Sequence, residues 1–266
     1  MIMNLNFNGT KIKTYLKNPT DFTAFYQVYV TNDYKSLISK ISKGDVVIDA
    51  GANIGLFTII ASILVGKSGR VISIEPDPEN LKILKKNIQL NNLDNITIVD
   101  KALYKESGKK LRFYSNGIFS KIVESEKYEI RNYIEVETIT LDDIISDFNL
   151  RPNSLKMDIE GGEKFALLSA HRTFKNINYF EGEIHSLEDY NVLLQYSDLY
   201  AFKKEPTNIL KSAINFFLTH PLKTFNIELH NKFYFTKQIL TVHAKRQFKG
   251  QLEEFPVIVY GQRLVG

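Results

Sequence analysis

Val46-Val47-Ile48-Asp49-Ala50-Gly51-Ala52-Asn53-Ile54-Gly55-Leu56-Phe57-Thr58, joined a dozen residues on by Val71-Ile72-Ser73-Ile74-Glu75-Pro76, is the stretch that decides the fold. Val46, Val47 and Ile48 form a β-branched run that predicts a strand buried on both faces, with the Asp49 carboxylate at its C-terminal tip. Gly51 and Gly55 bracket a turn where the backbone bends sharply and a ligand can approach without meeting a Cβ. Leu56, Phe57, Ile59, Ile60 and Ile63 then carry an apolar face at helical spacing, so free N–H groups of the first turn are expected to point into the crevice. The second strand ends on Glu75, twenty residues after Gly55, where an acid can accept both hydroxyls of a ribose. That order describes a site for a nucleotide-type cofactor.

Working outward, residues 44 to 183 alternate strand and helix, the pattern of a mostly parallel sheet covered on both faces. Pro78 to Leu90 predicts a helix ended by Asn91-Asn92, and Ile96 to Val99 the third strand, with Asp100 at its tip. Leu111 to Tyr114 and Tyr133 to Thr140 predict a hairpin-like excursion. Leu141 to Phe148 predicts a helix capped by Thr140, and Gly162 to Leu168 another; Ser154 to Ile159 and Tyr179 to Ile184 are the fourth and fifth strands. Phe233 to Val242 and Pro256 to Tyr260 are expected to close one edge as an antiparallel pair. The fold class expected is therefore α/β, a doubly wound, mostly parallel sheet of seven strands with a C-terminal antiparallel hairpin. Residues 1–43 form an N-terminal appendage, with a hairpin (Asn4 to Phe7, Lys11 to Leu16) and one or two aromatic-faced helices that pack on the domain or cover its substrate. Residues 44–266 form the main domain, with a helical insertion at about 201–231.

The totals bound the class. A chain of 266 residues with 44% apolar residues can bury a full-sized core, which argues against disorder. Its lack of cysteine removes disulfides, thiolate metal sites and cysteine nucleophiles together. No apolar run reaches the roughly 18 residues of a membrane span, and a soluble cytoplasmic protein is expected. The net charge of +4 is unevenly placed, because residues 201–266 hold ten Lys or Arg against four Glu.

A dinucleotide fingerprint would need glycines where Asn53 and Leu56 stand, and no Gly-Lys-Ser/Thr follows for a phosphate loop. S-adenosylmethionine fits better, since it has no phosphate and carries cationic groups that Asp49 would favour. In this reading Asp49, Gly51, Ala52, Asn53 and Gly55 hold its amino-acid end, Glu75 and Pro76 its ribose side, and Asp100 its adenine amino group.

These same residues resemble a family. The Val46 to Thr58 stretch, Gly69 to Pro76, Asn80 to Asn91 and Lys101-Ala102-Leu103 are similar to the FkbM family of S-adenosylmethionine-dependent methyltransferases. Lys156-Met157-Asp158-Ile159-Glu160-Gly161-Gly162-Glu163 resembles that family's K-x-D-x-E-G-x-E block. The resemblance covers roughly Tyr26 to His185 and implies a class I methyltransferase fold, with methyl transfer to a hydroxyl of a sugar, glycan, lipid or other small acceptor.

Methyl transfer needs the acceptor oxygen held in line and its proton removed. Lys156, Asp158 and Glu160 alternate with apolar residues, which predicts all three on one side of the fourth strand. Asp158 is expected to meet the cofactor's methionine portion or the acceptor, and Glu160 to act as base or clamp, or else to sit at the next helix's N-terminus. Glu181, Glu183 and His185 alternate likewise, and His185 is the second base candidate. Asp158, Glu160, Glu183 and His185 could instead hold a divalent cation. Two alternatives stay open: an RNA methyltransferase whose tail, with Lys203, Lys204, Lys245, Arg246 and Lys249, binds phosphates, and a non-enzymatic nucleotide-binding module. Ile209 to Leu222 could also dock on an anionic membrane or on a second subunit of a homodimer.

Overall fold

In the computed structural model, residues 1–114, 121–122, 133–204 and 257–264 are described. The chain opens with the antiparallel pair β1 (Ile2–Phe7) and β2 (Thr10–Tyr15), then α1 (Pro19–Phe25), a π-helical turn (Tyr26–Thr31) and α2 (Lys35–Ile38). The main domain follows as β3 (Val46–Ala50), α3 (Leu56–Val65), β4 (Arg70–Ile74), α4 (Pro78–Leu90) and β5 (Ile96–Val99). Next come β6 (Ala102–Leu103), β7 (Lys110–Tyr114), β8 (Lys121–Ile122), β9 (Tyr133–Ile139), α5 (Leu141–Asp147) and β10 (Ser154–Met157). The last elements are α6 (Glu163–Leu167), α7 (His171–Asn176), β11 (Tyr179–Ile184), α8 (Leu187–Leu193), a 3-10 turn (Leu194–Tyr196), β12 (Tyr200–Lys204) and β13 (Val257–Arg263).

The central sheet has seven strands in the order β12-β13-β11-β10-β3-β4-β5. Its five inner and right-hand strands run parallel, and β13 is antiparallel to both neighbours. Pleating sends Val47 and Val71 to one face, where they pack with α3 and the N-terminal elements, and Ile48, Ile72 and Leu155 to the other, under α5, α6 and α7. Burial of Phe57, Ile59, Ile60 and Val65 fixes α3 on the sheet at roughly 1.5–3 kcal/mol for each large side chain.

The parallel strands follow the sequence expectation because β-branched runs bounded by turns have few other readings. The closing pair differs. The partner of β13 is β12, so Ala201 to Lys204, expected at the start of the insertion, lie in the sheet. The expected strand Phe233 to Val242 and the segment Ile209 to Leu222 lie outside the described residues, as do Lys245, Arg246 and Lys249. The excursion forms as expected, β7 pairing antiparallel with β9, and β6 adds a parallel edge. Among the described residues no helix is long and apolar enough to cross a membrane.

The N-terminal hairpin is fastened by side-chain amides that imitate a neighbouring strand. Asn87 of α4 accepts from Tyr15 N–H (2.6 Å) and donates to the Tyr15 carbonyl (3.2 Å), and Asn91 does the same for Lys13 at 2.8 and 2.7 Å. Asn87 also donates to the Ile54 carbonyl at 2.8 Å, which links the hairpin to the turn after β3. Asn87 is fully buried, so Asn87→Ala leaves backbone groups of Tyr15 and Ile54 short of partners, an expected cost of about 1–3 kcal/mol in urea unfolding. A loss below about 0.5 kcal/mol, the range of neutral surface changes, would contradict this.

Candidate active site

A polar row crosses the apolar sheet. Ser73, Asp49, Lys156 and Glu181 are register partners on β4, β3, β10 and β11, and all four are buried. Lys156 Nζ lies 3.2 Å from Asp49 Oδ1 and donates to the Gly51 carbonyl at 2.7 Å. Burial alone would lower the Lys156 pKa, but the charges of Asp49 and Asp158 and the bond to Asp49 raise it above the usual lysine range. Asp49 Oδ2 accepts from Thr58 of α3 at 2.6 Å, and Glu181 accepts from Leu37 N–H of α2 at 2.8 Å. The row thus binds two strand ends, a helix and the N-terminal segment to one another.

Above it opens a cleft of about 920 Å³, solvent mouth included. Gly51, Ala52, Asn53, Glu75, Pro76, Asp158 and Glu160 line it. Asp49, Gly55 and Asp100 do not. The pleat turns Asp49 towards Thr58 and Lys156, beneath the floor and away from the position expected of it. Gly55 caps α3 at φ +87 with its α-hydrogen side against Leu84, 2.4 Å from where a Cβ would lie. Asp100 is exposed, and Ala102 and Leu103 of β6, with Phe113 of β7, form the wall there.

The turn is not an anion cradle. Gly51 and Ala52 N–H both donate to the Ile74 carbonyl (3.0 and 2.9 Å), Asn53 N–H to Glu75 (2.8 Å) and Ile54 N–H to the Asn53 side chain (2.7 Å). The N–H groups of the turn from Gly51 to Gly55 are therefore spoken for, and the lining's lysine, Lys156, is already paired. This donor set rejects a pyrophosphate and suits a cofactor that brings positive charge. Glu75 is buried, which pushes its carboxyl up to about 7 against the N–H groups of Asp77 and Asn53.

The other end of the cleft is an acid cluster. β10 stops at Met157, so Glu160 is not on the strand as the alternation predicted; it follows in a left-handed turn at φ +57, with Gly161 at +91. Gly51 admits this loop closely, since a Cβ there would lie 1.8 Å from the Asp158 carbonyl oxygen. Asp158 Oδ2 accepts from the Tyr34 hydroxyl at 2.7 Å, while buried Oδ1 has no hydrogen-bond partner. His185, just past β11, has Nδ1 3.0 Å from Glu163 and Nε2 3.6 Å from Glu160. Asp158, Glu183 and His185 each offer a ligand atom within 4.8 Å of the others, the geometry that a divalent cation would need. Burial, then the Asp158 charge, pushes Glu160 up to about 8. For His185 burial works downward, but the Glu163 hydrogen bond and charge, with Asp158 and Glu183, push it up to about 10.

Several of these residues carry no signal that spacing could reveal. Tyr34, Gln27 and Val28 reach the cleft from the N-terminal segment, and Phe113 from the excursion. Glu163 stood in the quoted acid block, and its place three residues after Glu160 was its one sequence clue.

The strand order and the acid-lined cleft agree with the α/β fold expected of a class I methyltransferase. Residues 49–210 match the Methyltransferase FkbM domain, and the chain belongs to that family. It is 35% identical over 100 residues, 35% of its length and 50% of the relative's, to the probable cobalt-precorrin-6B C(15)-methyltransferase (decarboxylating) of Saccharolobus solfataricus. It is 37% identical over 60 residues to the protein-L-isoaspartate O-methyltransferase of Fervidobacterium nodosum, covering 23% of this chain and 30% of that one. The chain spans half or less of the length of these curated relatives. A SAM-dependent O-methyltransferase structure from Thermotoga maritima aligns at TM-score 0.44 and 11% identity, over 99% of this chain and 78% of the other.

Lys156→Met removes the cation and leaves Asp49 buried without it, so the variant is expected to lose about 3–5 kcal/mol in chemical denaturation. The double variant Asp49→Asn/Lys156→Met is expected to recover part of that loss. A double variant as unstable as the sum of the two single changes would contradict the pairing.

Proposed function

We propose that this chain transfers the methyl group of S-adenosylmethionine to a hydroxyl oxygen of a small acceptor, a sugar, glycan or lipid headgroup, with Glu160 as general base. The observation that carries the reading is the placement of Glu160: it lines the cleft, burial and the Asp158 charge push its carboxyl up to about 8, and His185 Nε2 lies 3.6 Å from it. When bound, the cofactor supplies an activated methyl carbon, so the residues need only position an acceptor and take up one proton. Glu75, at the far end, would accept ribose hydroxyls, and the Asp158 carboxylate favours positive charge between it and the turn.

Within this arrangement Glu160 and His185 have different parts. His185, raised to about 10, is an imidazolium at neutral pH and holds positive charge beside the acids. Glu160, raised to about 8, keeps enough basicity to draw a proton from a hydroxyl, and its ionised form is available as pH passes that value. The relatives named above include both a carbon and an oxygen methyltransferase, so the choice of oxygen rests on this base and on the family resemblance.

The test is labelled S-adenosylmethionine offered with a panel of glycans, lipids, small hydroxylated metabolites and RNA. Label on oxygen is expected; label only on nitrogen or carbon would refute the assignment, and label on RNA would favour the nucleic-acid reading. With a working acceptor, turnover is expected to rise about tenfold per pH unit and level off near pH 8, because the base must lose its proton first. Glu160→Gln is expected to lower kcat by about 10²–10⁴-fold and remove that limb. Turnover unchanged by a strong chelator is expected as well; loss restored by Mg²⁺ would reassign the cluster to metal ligation.

A further inference from the structure

A hydrogen bond ties the N-terminal segment to the acid cluster. Tyr34, 2% exposed, lines the cleft and donates its hydroxyl to Asp158 Oδ2 at 2.7 Å. Two contacts hold the ring there, and a third anchors the backbone beside it. Phe57 of α3 meets it edge-on at 5.6 Å between centroids, Lys156 Nζ stands 5.2 Å from its centre, and three residues on, Leu37 N–H is bound to Glu181 at 2.8 Å. Burial and the neighbouring Asp158 charge keep the phenol protonated, and therefore a donor, throughout the physiological range. The other oxygen of Asp158 is buried and has no hydrogen-bond partner among the described residues. A carboxylate with one oxygen engaged and the other orphaned at a cleft wall is an acceptor whose second donor comes with a ligand.

We infer that Tyr34 is a positioning residue for the cofactor: it holds the Asp158 carboxylate so that the orphaned oxygen receives the ammonium of the cofactor's amino-acid end. The inference rests on the cofactor reading above and makes residues 19–38 a wall of the binding site as well as packing. The N-terminal segment contributes Ala24, Gln27 and Val28 to the same wall. The π-helical turn from Tyr26 to Thr31, closed by Asn32 at φ +54, is the local device that swings the chain from Val28 to Tyr34 along the cleft.

The test compares two probes in binding calorimetry, S-adenosylhomocysteine, which has the amino-acid end, and 5′-methylthioadenosine, which lacks it. In Tyr34→Phe the affinity for S-adenosylhomocysteine is expected to fall about tenfold, the scale of one charge-assisted hydrogen bond, while that for 5′-methylthioadenosine stays within about twofold. Asp158→Asn is expected to show the same selective loss, and the double variant little beyond either single change. A Tyr34 that served only packing would weaken both probes alike. Equal losses, no loss, or additive effects of the two substitutions would overturn the inference, and a wild-type chain that binds neither probe would remove the cofactor reading beneath it.

Discussion

One buried cation organises this molecule. Lys156 sits inside an otherwise apolar sheet and is tolerated because Asp49 faces it at 3.2 Å and the Gly51 carbonyl accepts from it at 2.7 Å. A lone buried lysine would cost several kcal/mol and shed its proton. Here the cost is offset by placing the counter-ion on the adjacent strand in direct register, and the two strand ends that shape the cleft are locked together as a consequence. The same requirement explains why Asp49 lies under the floor: a carboxylate bonded to Lys156 and Thr58 has little left to offer a ligand.

Charge then accumulates beyond the pair. Asp158, Glu160, Glu163, Glu183 and His185 converge from the β10 loop, α6 and the end of β11, Glu163 and Glu183 buried and the others half-buried. Burial and the Asp158 charge hold the Glu160 proton well above the usual carboxylate range, and the Glu163 hydrogen bond and charge, with Asp158 and Glu183, hold that of His185. Two partners relieve the crowding, the Tyr34 hydroxyl on Asp158 and the His185 ring on Glu163. An incoming positive charge would relieve it further. The electrostatics of the empty cleft thus favour a cationic ligand over an anionic one, in agreement with a turn whose N–H groups are all committed internally.

Much of the architecture was legible because it follows from local patterns. Val46 to Ala50, Arg70 to Ile74 and Tyr179 to Ile184 are strands buried at every residue after the first, and the Thr140 cap of α5 and the Asn91 end of α4 carry ordinary helix signals. Legibility ended where tertiary contact decided the outcome. The alternation predicts a strand from Ser154 to Ile159, yet the chain leaves the sheet at Met157, and left-handed Glu160 and Gly161 turn it along the cleft. Asp100, expected at the adenine from its place at a strand tip, is exposed and does not line the cleft, whereas Ala102, Leu103 and Phe113 do. Tyr34 belongs to no motif; its role comes from meeting a residue 124 positions away.

The account's central claim is that the cleft takes a cationic, phosphate-free nucleoside cofactor, and titration calorimetry on the intact chain addresses it without any knowledge of the acceptor. It predicts saturable one-to-one binding of S-adenosylmethionine and S-adenosylhomocysteine and no heat from a pyridine dinucleotide. Binding of the dinucleotide with none of either sulfur compound would contradict it.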